Sequence, residues 1–309
     1  MKPILPLLLL VTFISCNKEQ ETPRKVTVRL DAGILATRSE SPDEERINDL
    51  NLFVFREDGD LEASLYLDTR TLGREGSSCN LSLPRGLEYS LYACVNFGYR
   101  IPDICSRDEL AAYRYYMAYP DEFSRGIPMS GIAELDPEAT HVSIQLERMM
   151  AKISLRMDRR ALSEGIRFSV RSVILGASPR SALVFSPSQS LGNMDVFNRG
   201  FERTGTQADG LNRDRTPGVS ETVSVYMLEN LQGDNPAMPS YIEMAIEYES
   251  PQQVSKPGDY LIYRFPLGEQ EGNGDIQRNF HYLFTIRPKG DGLQTEDVWR
   301  VDRSALIRK

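Results

Sequence analysis

The side chains best suited to chemistry are few and scattered. The chain has two histidines, His141 and His281. They lie far apart, and neither has partners at metal-ligand spacing, so both read as structural residues. No Gly-x-Ser-x-Gly elbow, phosphate loop or dinucleotide fingerprint is present. The 44 acidic residues are compatible with a glycosidase-type carboxylate pair, but no spacing singles one out, and surface solvation accounts for them. The stretch GNGD at 272–275 lacks the acidic ladder and final Glu of a calcium loop and reads as a turn. Asn80-Leu81-Ser82 matches a glycosylation sequon, as chance alone would allow. No catalytic residue, metal or cofactor is expected. That leaves four cysteines, Cys16, Cys79, Cys94 and Cys105, with no Cys-x-x-Cys among them. Cys16 sits in FISCNKEQ, where an apolar run turns abruptly polar. A thiol there could be free, half of a disulfide, or a point of lipid attachment.

The surrounding residues weigh on that choice. Lys2 supplies a positive start, Ile4 to Ile14 form an apolar run, and Ser15 is small. Eleven helical residues span roughly 16 Å, about half a hydrocarbon core, so a secretory signal fits better than a membrane span. Phe13-Ile14-Ser15-Cys16 resembles the bacterial lipoprotein signal, with Phe13 where that pattern usually has Leu. The resemblance implies cleavage between Ser15 and Cys16, and acylation of Cys16 by chains such as palmitate, which anchor stably when two or more are present. A plain secretory signal with an incidental cysteine is the alternative. Residues 1–15 are thus read as a signal peptide and 16–24 as a polar tether. Lys18 followed by acidic residues resembles the surface-export signal of Bacteroidetes lipoproteins. The expected location is the cell outer membrane, lipid-anchored and facing outward. The chain from Cys16 carries 35 basic and 44 acidic side chains, a charge of −9, which argues against nucleic acid as a partner. Three cysteines remain, an odd number at irregular spacing. Cys79 and Cys94 flank an expected hairpin and could be neighbours, but buried free thiols are the expected state.

The elements that carry these residues read as strands. Val26, Val28 and Leu30 alternate with Thr27 and Arg29. Leu50, Leu52 and Val54 form a second strand, Asp58-Gly59 a turn, and Leu61 to Leu67 the return. Leu81 to Leu83 and Tyr89 to Asn96, joined by PRGLE, read as a second hairpin. Ile242 to Tyr248 and Tyr282 to Ile286 also alternate. One short helix, a crossover lying on a sheet in the N-terminal domain, is expected from an N-cap at Ser106 with Glu109 completing a capping box, and with Leu110, Tyr113 and Met117 on one face up to Pro120. Residues 186–218 and 268–279 read as long polar loops. In HVSIQLERMMAKISLRMD the apolar positions change phase, from Val142, Ile144 and Leu146 to Ala151, Ile153, Leu155 and Met157. A bulge would do this, and so would a strand passing from one sandwich to another. The second reading gives an all-β chain of two sandwich domains, 25–148 and 149–309.

Five stretches add a family resemblance: INDLNLFVFREDGDL, IPMSG at 127–131, LERMMAKISL at 146–155, VYMLENLQG at 225–233 and RNFHYLFTIRPKGDG at 278–292. Together, and in this order, they resemble the fimbrillin-type proteins of the Bacteroidales. The modest length and the lipid-type cysteine resemble the anchor and minor-subunit branch, the FimB/Mfa type. The resemblance implies two tandem transthyretin-like β-sandwiches and a non-enzymatic role in cell-surface fimbriae. It also implies partners that are other fimbrial subunits, joined by β-strand addition. In that family an Arg-specific protease removes an N-terminal strand. Here Val26, Val28 and Leu30 would form such an exchanged strand, and Arg38 or Arg46 the cut. A permanent anchor would stay uncut and keep its link to Cys16; a polymerising or tip subunit would be cut. The tail DVWRVDRSALIRK, with Trp299, Val301, Ala305 and Ile307 in one phase, is either a last strand or a donated one. A surface adhesin or glycan-binding lipoprotein is the rival function, for which the cluster Tyr113, Tyr115, Tyr116 and Tyr119 is the cue.

Overall fold

A computed structural model describes residues 23–33, 44–72, 77–120, 122, 126–204, 208–234, 236–252, 260–268, 274–293 and 298–305, with the backbone alone at 201–204. Ser15, Cys16, Arg38 and Ile307 lie outside the described residues. The chain is nearly all β. A three-stranded sheet contains β1 (Arg24–Asp31), β4 (Ser78–Leu83) and β8 (His141–Gln145), in the order β4-β1-β8. A five-stranded sheet contains β2 (Leu50–Arg56), β3 (Leu61–Leu67), β5 (Tyr89–Val95), β7 (Met129–Leu135) and β9 (Glu147–Arg148), in the order β3-β2-β5-β7-β9. Val26, Val28 and Leu30 of the first sheet share one core with Leu50, Leu52, Leu91 and Val95 of the second.

The rest of the chain forms two four-stranded sheets. One, in the order β16-β10-β19-β20, contains β10 (Met150–Met157), β16 (Val223–Leu228), β19 (Phe280–Ile286) and β20 (Trp299–Ala305). The other, in the order β13-β11-β17-β18, contains β11 (Arg167–Pro179), β13 (Val196–Thr204), β17 (Tyr241–Glu249) and β18 (Tyr260–Pro266). Ile153, Leu155, Phe284 and Ile286 from the first meet Val170, Met244, Ile246 and Phe265 from the second. Two short pairs complete the strands: β6 (Arg114–Tyr116) with β12 (Ser181–Leu183), and β14 (Asp214–Thr216) with β15 (Val219–Ser220).

A third apolar cluster joins the two regions. Phe53, Phe55 and Cys94 leave the five-stranded sheet on the face opposite Leu52 and pack with Met149, Met150, Ala182, Val184 and Tyr226. β2 and β5 are therefore buried on both faces, which explains why their sequences are apolar at nearly every position. The phase change has its cause here. β9 pairs with β7 in one sheet, and one residue later β10 pairs with β16 and β19 in another.

Several expectations need correction. β2 and β3 form the hairpin expected at Asp58-Gly59. β4 and β5 do not form a hairpin: β4 pairs with β1, and β5 lies between β2 and β7. The PRGLE turn is an arch between two sheets. Turn residues look alike in both cases, and the choice rests on which strand edge is free. The helix is shorter than expected. Ser106 Oγ accepts from Glu109 N at 3.2 Å and Glu109 Oε2 from Cys105 N at 2.7 Å, but α1 ends after Arg107–Ala111. The tyrosine-rich Arg114–Tyr116 that follows is a strand, pairing Tyr115 with Ala182, as aromatic residues favour. Residues 186–218 are not one long loop, because β13 lies within them on the edge of its sheet; polar residues are common on edges and disguised it.

Candidate functional site: the first strand and its clasp

The expected exchangeable strand is the middle strand of its sheet. β1 pairs antiparallel with β4, placing Val26 against Leu81 and Val28 against Cys79, and parallel with β8, placing Leu30 against Ile144. Val26 and Val28 are fully buried and Leu30 nearly so. Burying three such side chains is worth about 5–9 kcal/mol, comparable to the whole stability of a domain. Arg24 fastens the start of the strand, donating from Nη1 to the Asp136 and Ala139 carbonyls at 2.6 and 2.9 Å and from Nη2 to Leu87 O at 3.1 Å. At its end Asp31 O accepts from Leu146 N at 2.8 Å and Gln145 Nε2 at 3.1 Å.

Residues 34–43 separate this strand from Glu44, where a buried polar cluster begins. Arg148, fully buried, donates from Nη2 to Glu44 O at 2.9 Å and from Nη1 to Ala32 O at 3.3 Å. It thereby grips both sides of the intervening segment. The Glu44 carboxylate, 3% exposed, accepts from Lys152 Nζ at 2.9 Å and from the Tyr226 hydroxyl. Lys152 and Tyr226 lie on neighbouring strands, β10 and β16, at paired positions. Burial lowers the Arg148 pKa, and Glu44 opposes that effect. Burial and the hydrogen bond to Glu44 raise the Tyr226 hydroxyl far above its ordinary value. His281 is pushed down by burial and by Lys152, and its Nε2 lies 2.8 Å from Ser154 Oγ. The arrangement is a clasp: it holds Glu44 against the sheet of the chain's second half and ties it, through Arg148, to Ala32 just after the first strand.

The clasp continues through Asn96, whose φ of 63° is one that asparagine tolerates. Asn96 Nδ2 donates to Arg46 O and Ile127 O, both at 2.8 Å, and Oδ1 accepts from Asn48 N at 2.7 Å. The Arg46 side chain is exposed, but its carbonyl is built into the body.

The other candidates are dispersed. His141 is exposed and lies 2.9 Å from Thr140 Oγ1. Among the described residues no group of three or more His, Cys, Asp or Glu is arranged to hold a metal, and no helix is long and apolar enough to cross a membrane. Cys79, Cys94 and Cys105 are free. Cys79 and Cys94 occupy different cores, and burial pushes the Cys79 thiol up to about 11 and the Cys94 thiol higher. Cys105 is exposed, contrary to expectation. Trp299, Val301 and Ala305 lie on β20, paired within the chain to β19. Tyr115 is buried, whereas Tyr116 and Tyr119 are exposed. Sequence alone does not mark Glu44, Lys152 and Tyr226 as a site. Lys152 occupies the polar phase of an alternating strand and so reads as facing water; the phase change at Arg148 was the one nearby signal.

Neither a protein-family model nor a curated protein matches the chain by sequence. Solved structures do match over nearly its whole length. A protein assigned to cell adhesion from Bacteroides eggerthii superposes with a TM-score of 0.64 at 14% identity, covering 93% of this chain and 96% of that one. The fimbrilin FimA from Porphyromonas gingivalis gives 0.60 at 12% identity, covering 94% and 99%. The tip fimbrial protein Mfa3 from the same organism, C-terminally truncated, gives 0.56 at 15%, covering 92% and 100%. The chain shares its fold with these cell-adhesion and fimbrial proteins.

Proposed function

We propose that the chain is a fimbrial subunit on the cell surface, held to the outer membrane by lipid on Cys16. In this reading residues 1–15 are removed between Ser15 and Cys16, and residues 16–24 form a tether. Residues 25–148 and 149–309 form two tandem transthyretin-like β-sandwich domains. The role is structural rather than enzymatic, and other subunits join by β-strand addition. The observation that carries the proposal is the position of β1. It is a short strand with three buried apolar side chains, central in its sheet, of the kind another chain's strand could replace. The full-length likeness to FimA and Mfa3 supports the same reading.

The anchor form keeps β1 and its link to Cys16. A second reading, a processed polymerising or tip subunit, is favoured by the likeness to the tip protein Mfa3. The clasp favours one of the two candidate cuts. Cleavage after Arg46 would detach Glu44 and leave Lys152 buried without its counter-charge. Cleavage after Arg38 would retain Glu44. Any processing is therefore expected at Arg38. The test is intact mass and N-terminal sequence of protein extracted from the cell surface. An acylated chain beginning at Cys16 is the expected result. A mature chain beginning at Ser39 would establish the processed form, and one beginning at Ile47 would overturn both the anchor and the role given to the clasp.

A further inference from the structure

The chain is acidic, with a formal charge of −8, yet one end of the β16-β10-β19-β20 sheet is basic on its outer face. The inner phase of these strands, including Leu155, Phe284, Ile286 and Val301, packs on the core. The outer phase brings Arg156 of β10 beside Thr285 of β19, and Thr285 beside Arg300 of β20. Neighbouring strands are about 4.8 Å apart, so two arginines flank one threonine across three strands. Arg156 Nε donates to Thr285 Oγ1 at 2.9 Å. Arg287 and Lys289 extend the basic row beyond Thr285, and all of these residues, with Asp302, line a groove of about 350 Å³.

The cations differ in how far they are committed. Arg287 and Arg160 both bind the buried Asp158 carboxylate, at 2.9 and 2.8 Å, and hold it well below the usual carboxylate range. Those two serve the fold. Arg300 pairs with Asp302 at 2.8 Å, but both side chains reach water, where such a pair is weak. Arg156 is bonded to a neutral hydroxyl, and Lys289 is exposed. Besides Arg287, three cationic side chains thus face the groove against one exposed carboxylate, among the described residues. They are spread along rows instead of converging on one point, which suits a ligand carrying repeated anionic groups. The main chains of β10 and β19 are paired on both sides, so the face offers side chains alone. An extended acidic peptide would take its main-chain hydrogen bonds along the edge of β20, and not from the face that Arg156 and Thr285 occupy. Guanidinium forks match carboxylate and sulfate groups bidentately.

We propose that this groove binds a sulfated or carboxylated polysaccharide, with Arg156, Lys289 and Arg300 as its contacts. The site is separate from β1 and the clasp, and the inference does not rest on the fimbrial reading. Full-length protein in detergent is titrated onto immobilised heparin at low and physiological salt. Wild type is expected to bind, and to weaken as salt screens the contacts. The triple variant Arg156→Ser, Lys289→Ser, Arg300→Ser is expected to lose at least tenfold in affinity with an unchanged thermal midpoint. Asp302→Asn, which removes the competing carboxylate, is expected to gain about two- to threefold, a change that misfolding would not produce. Substituting the exposed Lys25, Arg29 and Arg100 by Ser is expected to change affinity less than twofold. The proposal is overturned if wild type fails to bind at low salt or if the triple variant binds like wild type. It is equally overturned if the control variant loses as much, or if polyglutamate binds these residues more tightly than heparin.

Discussion

Glu44 brings a negative charge into a place where an unpaired carboxylate would be costly, and Lys152 and Tyr226 are what make it tolerable. Removing one partner of a buried ion pair leaves the other uncompensated. Glu44→Gln is therefore expected to lower stability by about 3–5 kcal/mol in urea denaturation, and the double variant Glu44→Gln, Lys152→Met to recover most of that. A double variant no more stable than the single would show that the two residues do not act as a pair. Asp158 is a second residue whose charge the fold exploits. Its folded pKa is depressed, first by the Arg160 hydrogen bond and then by Arg287 against the opposing effect of burial. A depressed carboxylate contributes stability that is present above its unfolded value, near 3.9, and lost as pH falls below it through the folded value. Asp158→Asn should lower stability at neutral pH, and the gap to wild type should close as the pH drops below about 4. Thermal midpoints across pH 2 to 7 would read this directly.

At the scale of elements, close strand contacts impose residue size. β7 passes so near the end of β8 that a Cβ on Gly131 would lie 2.3 Å from Gln145 O. The obstacle is backbone, which does not yield as a side chain would. Gly131→Ala is expected to cost about 1–3 kcal/mol, whereas Gly192→Ala, with nothing within 4 Å, should change stability by less than about 0.5 kcal/mol. Equilibrium denaturation of the two variants checks the contrast. Elements also differ in how well their sequences announce them. β17 and β19 are legible because one face of each is apolar throughout, with the acidic residues, His281 and Thr285 on the other, at period two. α1 reads as longer than it is because Leu110, Tyr113 and Met117 fit helical spacing, although Tyr115 has its partner 67 positions away at Ala182. β13 is hard to read from sequence because an edge strand carries polar residues.

For the whole molecule, local chemistry and long-range packing divide the information between them. The strand phases of β1, β2, β10, β17 and β19, the Asp58-Gly59 hairpin, the Ser106 cap and the phase change beside Arg148 all follow from the sequence, because each depends on neighbours within a few residues. So does the polarity boundary at Cys16. The sequence could not show that β4 and β5 enter different sheets, since a hairpin and an arch use the same turn residues. Nor could it show the clasp or the basic groove. Lys152 and Arg156 occupy the same phase of one strand, four residues apart, and by period alone both face water. Tertiary structure covers Lys152 with Glu44 and Tyr226 and leaves Arg156 at the open groove. Alternation determines which residues share a face of a sheet; only the packing of distant segments decides what, if anything, covers it.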